Sequence, residues 1–102
     1  MITWVRTAEI RDGKALPAIE FGLKVAGYVN DKFGLNVTVE RNVTGKLNQL
    51  HWVVTYDSLA AFEEAAAATS ADEGYQQLLA ESSENELFFA NSVVDNLFQS
   101  IP

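Results

Sequence analysis

The stretch Leu35-Asn36-Val37-Thr38-Val39-Glu40-Arg41-Asn42-Val43-Thr44-Gly45-Lys46-Leu47-Asn48-Gln49-Leu50-His51-Trp52-Val53-Val54-Thr55-Tyr56 decides the fold. From Leu35 to Val43, apolar and polar side chains alternate and β-branched residues dominate, the pattern of a strand. Thr44-Gly45-Lys46 reads as a turn. Leu47 to Tyr56 then reads as the returning strand of a hairpin, with Leu50, Trp52, Val54 and Tyr56 on one face and His51, Val53 and Thr55 on the other. Both faces are largely apolar, so this strand is expected in the middle of a sheet, covered on both sides.

Outward toward the N-terminus, Ala15 to Phe33 has helical spacing. Leu16, Ile19, Leu23, Ala26 and Gly27 form one stripe, and Phe21, Val25, Tyr28 and Val29 form a second beside it. Pro17 suits an early helical position, and Gly34 suits the residue that ends the helix. The helix is apolar over more of its circumference than a one-sided surface helix needs. Before it, Asp12-Gly13 marks a turn, and Ile2 to Arg11 reads as a strand with Ile2, Trp4, Arg6, Ala8 and Ile10 on one face.

Outward toward the C-terminus, Asp57-Ser58 starts a second helix, with Leu59, Phe62, Ala65 and Ala66 inward and Glu63-Glu64 outward. Ser70-Ala71-Asp72-Glu73 fits a capping box with Ser70 as the cap, which predicts a third helix over Ala71–Ala80 carrying Tyr75, Leu78 and Leu79 inward. Leu87 to Ile101 reads as a long last strand, with polar interruptions at Asn91-Ser92 and Asp95-Asn96 that suggest a bend or bulge. The order is β-α-β-β-α-(α)-β in a single domain, residues 1–102. Right-handed βαβ connections joined by the Gly45 hairpin give an α+β ferredoxin-like fold, a four-stranded antiparallel sheet with helices on one face. One sheet face is then left bare although its side chains are apolar. A second copy related by a two-fold axis is expected to cover it.

Composition excludes several function classes. The 102 residues carry 7 basic and 14 acidic side chains, a net charge of −7, one histidine and no cysteine. Nucleic-acid binding needs clustered cations to neutralise phosphate, and an anionic membrane surface needs the same, so neither is expected. Disulfides, thiolate metal sites and cysteine nucleophiles are excluded. All 7 basic residues lie at or before Lys46, whereas Leu47 to Pro102 holds nine acids and no Lys or Arg. This layout reads either as a solvated acidic surface or as early cations facing late anions across the fold or across a dimer. No basic segment leads into an apolar run at the N-terminus, and no apolar run approaches ~20 residues, so a cytoplasmic protein is expected.

Three features together carry a family resemblance. Strand three runs into Tyr56-Asp57-Ser58-Leu59-Ala60-Ala61-Phe62-Glu63, a short helix follows with Tyr75-Gln76-Gln77-Leu78-Leu79, and a long strand closes the chain. With these the chain resembles the dimeric α/β-barrel superfamily, and within it the NIPSNAP-like branch. The resemblance implies a homodimer built through the sheet face. That superfamily includes cofactor-free monooxygenases, haem-degrading enzymes and small isomerases. Its haem-degrading members use a helix-borne histidine, and the first helix here has none, so no haem is expected.

Candidate chemistry rests on few residues. His51, the one histidine, is a possible base near neutral pH, or a hydrogen-bonded structural residue. Arg6 and Arg41 fall at interior-looking strand positions and need an anion, either Glu9, Glu40 or Glu86, or an acidic ligand. Trp4, Trp52, Tyr28 and Tyr56 serve either as core or as the wall of an aromatic pocket, and a pocket in such a fold is made from core residues. Tyr75 reads as a packing residue. Asp95 points either inward or to a solvated sheet edge. The acidic side chains match no calcium loop, and no phosphate-cradling loop or nucleophile motif occurs, so no metal or nucleotide cofactor is expected. Three functions fit. The first is binding of a small apolar or weakly acidic organic molecule inside the dimer. The second is a cofactor-independent monooxygenase or isomerase on an aromatic or ketide-like substrate, oriented by Trp4, Arg6, Arg41 and Trp52, with His51 or Tyr56 moving a proton. The third is an interaction domain without a pocket.

Overall fold

Strand β1 (Ile2–Glu9) and strand β3 (Gln49–Tyr56) pair antiparallel along their whole lengths, in register Trp4 to Val54, Arg6 to Trp52 and Ala8 to Leu50. The computed structural model describes residues 1–102. Strand β2 (Thr38–Arg41) flanks β3, and strand β4 (Val94–Gln99) flanks β1, giving the antiparallel order β2-β3-β1-β4. Helices α1 (Ala15–Phe33), α2 (Leu59–Ser70) and α3 (Glu73–Glu84) supply the crossovers. This is the four-stranded ferredoxin-like α+β arrangement that the hairpin reading predicts.

Period-two alternation divides the sheet. The helix-facing surface carries Trp4, Arg6, Ala8, Leu50, Trp52 and Val54, and register adds Val39, Asp95 and Leu97. The opposite surface carries Val5, Thr7, His51 and Val53, together with Val94 and Phe98 of β4. The core lies on the helix side, where Ala8, Leu50 and Trp52 meet Ala18, Val25 and Ala26 of α1, with Leu78 and Leu87 behind. Every residue of β4 is exposed, and only 13 of the 102 residues are buried in one copy.

Helix α1 buries a different stripe from the one its largest side chains suggest. Ala18, Gly22, Val25, Ala26 and Val29 face the sheet, while Leu16 and Leu23 are 75% and 59% exposed. Close approach is the reason. A Cβ on Gly22 would lie 2.7 Å from Leu50 Cδ2, so the inner stripe is selected for small residues rather than for hydrophobic size. The same approach lets Trp52 Nε1 donate to the Gly22 carbonyl oxygen at 3.2 Å. Gly34 ends the helix in a left-handed conformation (φ 65°), its N–H donating to Asn30 O at 3.0 Å.

Other boundaries also move. Strand β2 starts at Thr38 rather than Leu35, because the Asn30 side chain takes both backbone groups of Val37, accepting from its N–H at 2.8 Å and donating to its carbonyl at 3.1 Å. Ser58 caps α2 as expected, accepting from Ala61 N–H. Ser70 does not cap α3: it is the last residue of α2, and Asp72 is the cap, accepting from Tyr75 N–H at 2.9 Å. Asp72 also accepts from Tyr28 Oη at 2.5 Å and pairs with Lys32, ties to α1 that Ser70 lacks. The last strand is shorter than Leu87–Ile101. A 3-10 turn at Ala90–Ser92 interrupts it where Asn91-Ser92 predicts a bend, whereas Asp95-Asn96 lies inside β4 without one. Arg6–Asp95, Lys24–Glu81 and Lys32–Asp72 join early cations to late anions, so part of the charge layout is used within the chain. No helix is long and apolar enough to cross a membrane.

Candidate functional site

A cavity of about 290 Å³ lies between the helix-facing surface of the sheet and the three helices. The sheet supplies Trp4, Arg6, Trp52, Val54 and Tyr56. Helix α1 supplies Phe21, Val25 and Val29, α2 supplies Phe62, Ala65, Ala66 and Thr69, and α3 supplies Tyr75 and Leu79. Of the 19 lining residues 15 are hydrophobic, which suits an apolar occupant. Helix α2 has no buried residue, and its inner side faces this space. Alanines at its inner positions leave the volume that larger side chains would fill.

The polar groups gather at one corner. Arg6 donates from Nε to Asp95 Oδ1 at 2.7 Å and from Nη2 to Asp95 Oδ2 at 2.9 Å, a bidentate pair across neighbouring strands. Its Nη1 donates to Tyr75 Oη at 3.2 Å, and its guanidinium carbon lies 5.3 Å from the Trp4 ring centroid. The hydrogen bond to Asp95 holds the Arg6 pKa above its ordinary value, against partial burial, so the guanidinium stays charged and its charge is balanced. Asp95 thus points inward and is the anion that Arg6 needs, in place of Glu9, Glu40 or Glu86.

Tyr56 is half-buried at the cavity wall, packed edge-on against Phe62 with ring centroids 5.6 Å apart. Burial pushes its phenol pKa up, so it holds its proton and acts as a donor at neutral pH. Trp52 and Trp4 both line the cavity, and Trp52 is fixed by its bond to Gly22 O and by an edge contact with Phe88 at 5.7 Å.

The structure separates the remaining candidates from this space. His51 sits on the opposite sheet face, where Thr7 Oγ1 lies 2.8 Å from Nδ1 and Asn42 Oδ1 lies 2.6 Å from Nε2. Asn Oδ1 only accepts, so Nε2 carries a hydrogen in this arrangement, and in the neutral ring Nδ1 then accepts from Thr7. Arg41 ends β2, exposed and away from the cavity. No group of three or more His, Asp or Glu side chains is arranged to hold a metal ion. Tyr75 has a role the sequence pattern missed, because helical spacing marks its ring as packing and carries no sign of a partner 69 residues away. The one usable signal was its phenol, which needs a polar partner wherever it is partly buried.

The family model described as NIPSNAP matches residues 6–90. An uncharacterised NIPSNAP domain protein from Burkholderia xenovorans superposes with a TM-score of 0.80 at 14% identity, covering 99% of this chain and 95% of that one. A NIPSNAP family protein from Agrobacterium tumefaciens gives 0.74 at 19% identity, covering 98% and 92%. A candidate antibiotic biosynthesis monooxygenase from Deinococcus radiodurans gives 0.73 at 12% identity, covering 100% and 94%. No curated protein sequence matches the chain.

Proposed function

We propose, from the premise that this chain belongs to the NIPSNAP family, that it binds a small apolar organic molecule in the cavity between its sheet and its helices. The observation that carries this reading is a largely apolar space of about 290 Å³ with one hydrogen-bonded corner, Arg6–Asp95–Tyr75, at its wall. Trp4, Trp52, Arg6 and Tyr56 are its contact residues, whereas His51 and Arg41 take no part in binding. Pairing of Arg6 with Asp95 favours an uncharged ligand over an acidic one, since a carboxylate would have to displace an anion already held by two bonds. On this reading the occupant sits on the side of the sheet that the helices cover, not between two copies.

A second copy is assigned to the other side. Val5, Val53, Val94 and Phe98 lie on that uncovered face, and Phe98 is 55% exposed. Pairing two such faces removes an apolar surface from water, and it buries the His51–Thr7–Asn42 group in the interface.

The binding reading is tested with 2-naphthol by saturation-transfer NMR. Saturable transfer is expected with the native chain, and its loss is expected in Ala66→Phe, where a ring occupies the cavity. No transfer at millimolar concentration, or equal transfer in the two proteins, rejects the reading. A second reading, cofactor-independent oxygenation, draws on the likeness to the Deinococcus radiodurans protein and on two indoles at the wall. Oxygen uptake with dithranol separates the two, since oxidation of the anthrone methylene to a carbonyl consumes one O₂ and releases one water. Binding alone leaves uptake at the buffer rate. The binding reading is favoured because Tyr56 retains its proton and Asp95, the carboxylate at the wall, is committed to Arg6.

A further inference from the structure

Tyr75 stands in an unusual relation to Arg6. The guanidinium donates to the phenol oxygen at 3.2 Å, so Tyr75 is an acceptor in that bond. Its own O–H has no acceptor within the chain, although both side chains line the cavity. A phenol whose oxygen is held by a cation has its donor left for something else. Arg6 in turn is locked by Asp95 through Nε and Nη2, so the corner presents no net charge. Trp4 Nε1 and Tyr56 Oη also lack partners on this wall, but only the Tyr75 O–H has its oxygen held in place by a charged neighbour.

We infer that the Tyr75 hydroxyl is the ligand-orienting donor of the cavity, and that the ligand is an uncharged, mostly apolar molecule carrying one acceptor oxygen, of the ketone class. This rests on the binding reading above and adds its specificity. An apolar cavity alone ranks ligands by size and hydrophobicity, which distinguishes poorly between a carbonyl and a methylene group. A donor fixed in place distinguishes them, because a ligand that lacks an acceptor leaves that O–H unsatisfied at the wall. An anion is disfavoured on the same geometry, since Asp95 already faces the cation and repels a second carboxylate.

Three nearly isosteric probes test this by NMR titration: acetophenone, α-methylstyrene and benzoate. In the native chain all contacts are available. Replacing Tyr75 by Phe removes one hydroxyl and keeps the ring that lines the wall. Acetophenone is expected to bind roughly 3- to 10-fold more weakly to Tyr75→Phe, the range for loss of one neutral hydrogen bond, while α-methylstyrene changes by less than about twofold. Unchanged α-methylstyrene affinity also shows that the variant keeps its cavity. The carbonyl stretch of ¹³C-labelled acetophenone is expected to move to lower wavenumber on binding the native chain and to lose that shift in the variant. Equal losses for both neutral probes, an undiminished acetophenone affinity, an unshifted carbonyl band, or benzoate binding more tightly than acetophenone would each overturn the inference while leaving the cavity as a binding site. If none of the three probes binds the native chain, the binding reading itself falls.

Discussion

Alanine at Gly22 and alanine at Gly27 make the same chemical change in the interior of the same helix, and they are expected to move stability in opposite directions. Helix propensity alone favours Ala over Gly by about 1 kcal/mol at either position. At Gly27 a new Cβ meets nothing within 4 Å, so Gly27→Ala gains this amount and raises the melting temperature by roughly 4–8 °C. At Gly22 the new Cβ falls 2.7 Å from Leu50 Cδ2, 3.4 Å from Val39 Cγ1 and 3.5 Å from Trp52 Cζ2. A leucine methyl can swing away where there is room, but Leu50 is only 2% exposed and sits in the middle of the sheet. Helix α1 must lift instead, and lifting stretches the bond from Trp52 Nε1 to Gly22 O. Overpacking of this kind costs about 1–3 kcal/mol, so Gly22→Ala comes out from neutral to about 2 kcal/mol destabilised. The quantity to measure is the gap between the two variants, about 1–3 kcal/mol, from which the propensity gain cancels. Urea unfolding at one fixed protein concentration gives it directly, because any self-association then contributes equally. A Gly22→Ala variant as stable as Gly27→Ala would refute the account of close approach between α1 and β3.

Glu86, at the end of α3, is the one non-glycine residue with positive φ (51°), so Glu86→Gly is expected to stabilise the chain by about 0.5–1 kcal/mol in the same assay. Asp72 is held at a pKa of about 2, below the ordinary 3.8, first by Lys32 and then by hydrogen bonds from Tyr28 and the Tyr75 backbone. A depressed acid contributes stability that is fully present above about pH 5 and is lost as pH falls through 2; the melting temperature of the native chain should fall with pH across that window, and fall less steeply in Asp72→Asn. Phe98→Asp and Val53→Asp place charge on the uncovered sheet face, and sedimentation should show dimers of the native chain converted to single copies. A native chain that sediments as a single copy at micromolar concentration refutes the assigned pairing.

Much of the fold was legible because alternation from Leu35 to Tyr56 gives two strands, Gly45 marks the turn, and helices on either side leave one economical topology; the register was not, since the strands pair only over Thr38–Arg41 and part of Gln49–Tyr56, Arg41 opposite Leu50. What escaped was set by contacts between distant parts of the chain. Leu16 and Leu23 look like the inner face of α1 on hydrophobicity, but proximity to Leu50 selects Ala18, Gly22 and Ala26. Ser70 and Asp72 both satisfy local capping chemistry, and Tyr28 and Lys32, some 40 residues earlier, decide for Asp72. At the site, alternation groups Trp4 with Arg6 and Trp52 with Tyr56, but both strand faces read as apolar, so which face the helices cover came only with the structure. Asp95 as the partner of Arg6 required the register between the first and last strands, and that is not encoded locally.

Helix α2 forms a wall of the cavity yet buries none of its own residues. A sequence change there alters the shape of the space while sparing the packing between α1 and the sheet. Diversification across relatives can therefore run through this one segment, where Phe62, Ala66 or Thr69 can change size at little cost to the core. The strands beneath, constrained by Leu50 and Gly22, have far less freedom to drift. Sequence variation between lineages should therefore be densest along the inner side of α2, and that is the place to begin when the shape of the cavity is to be changed by design.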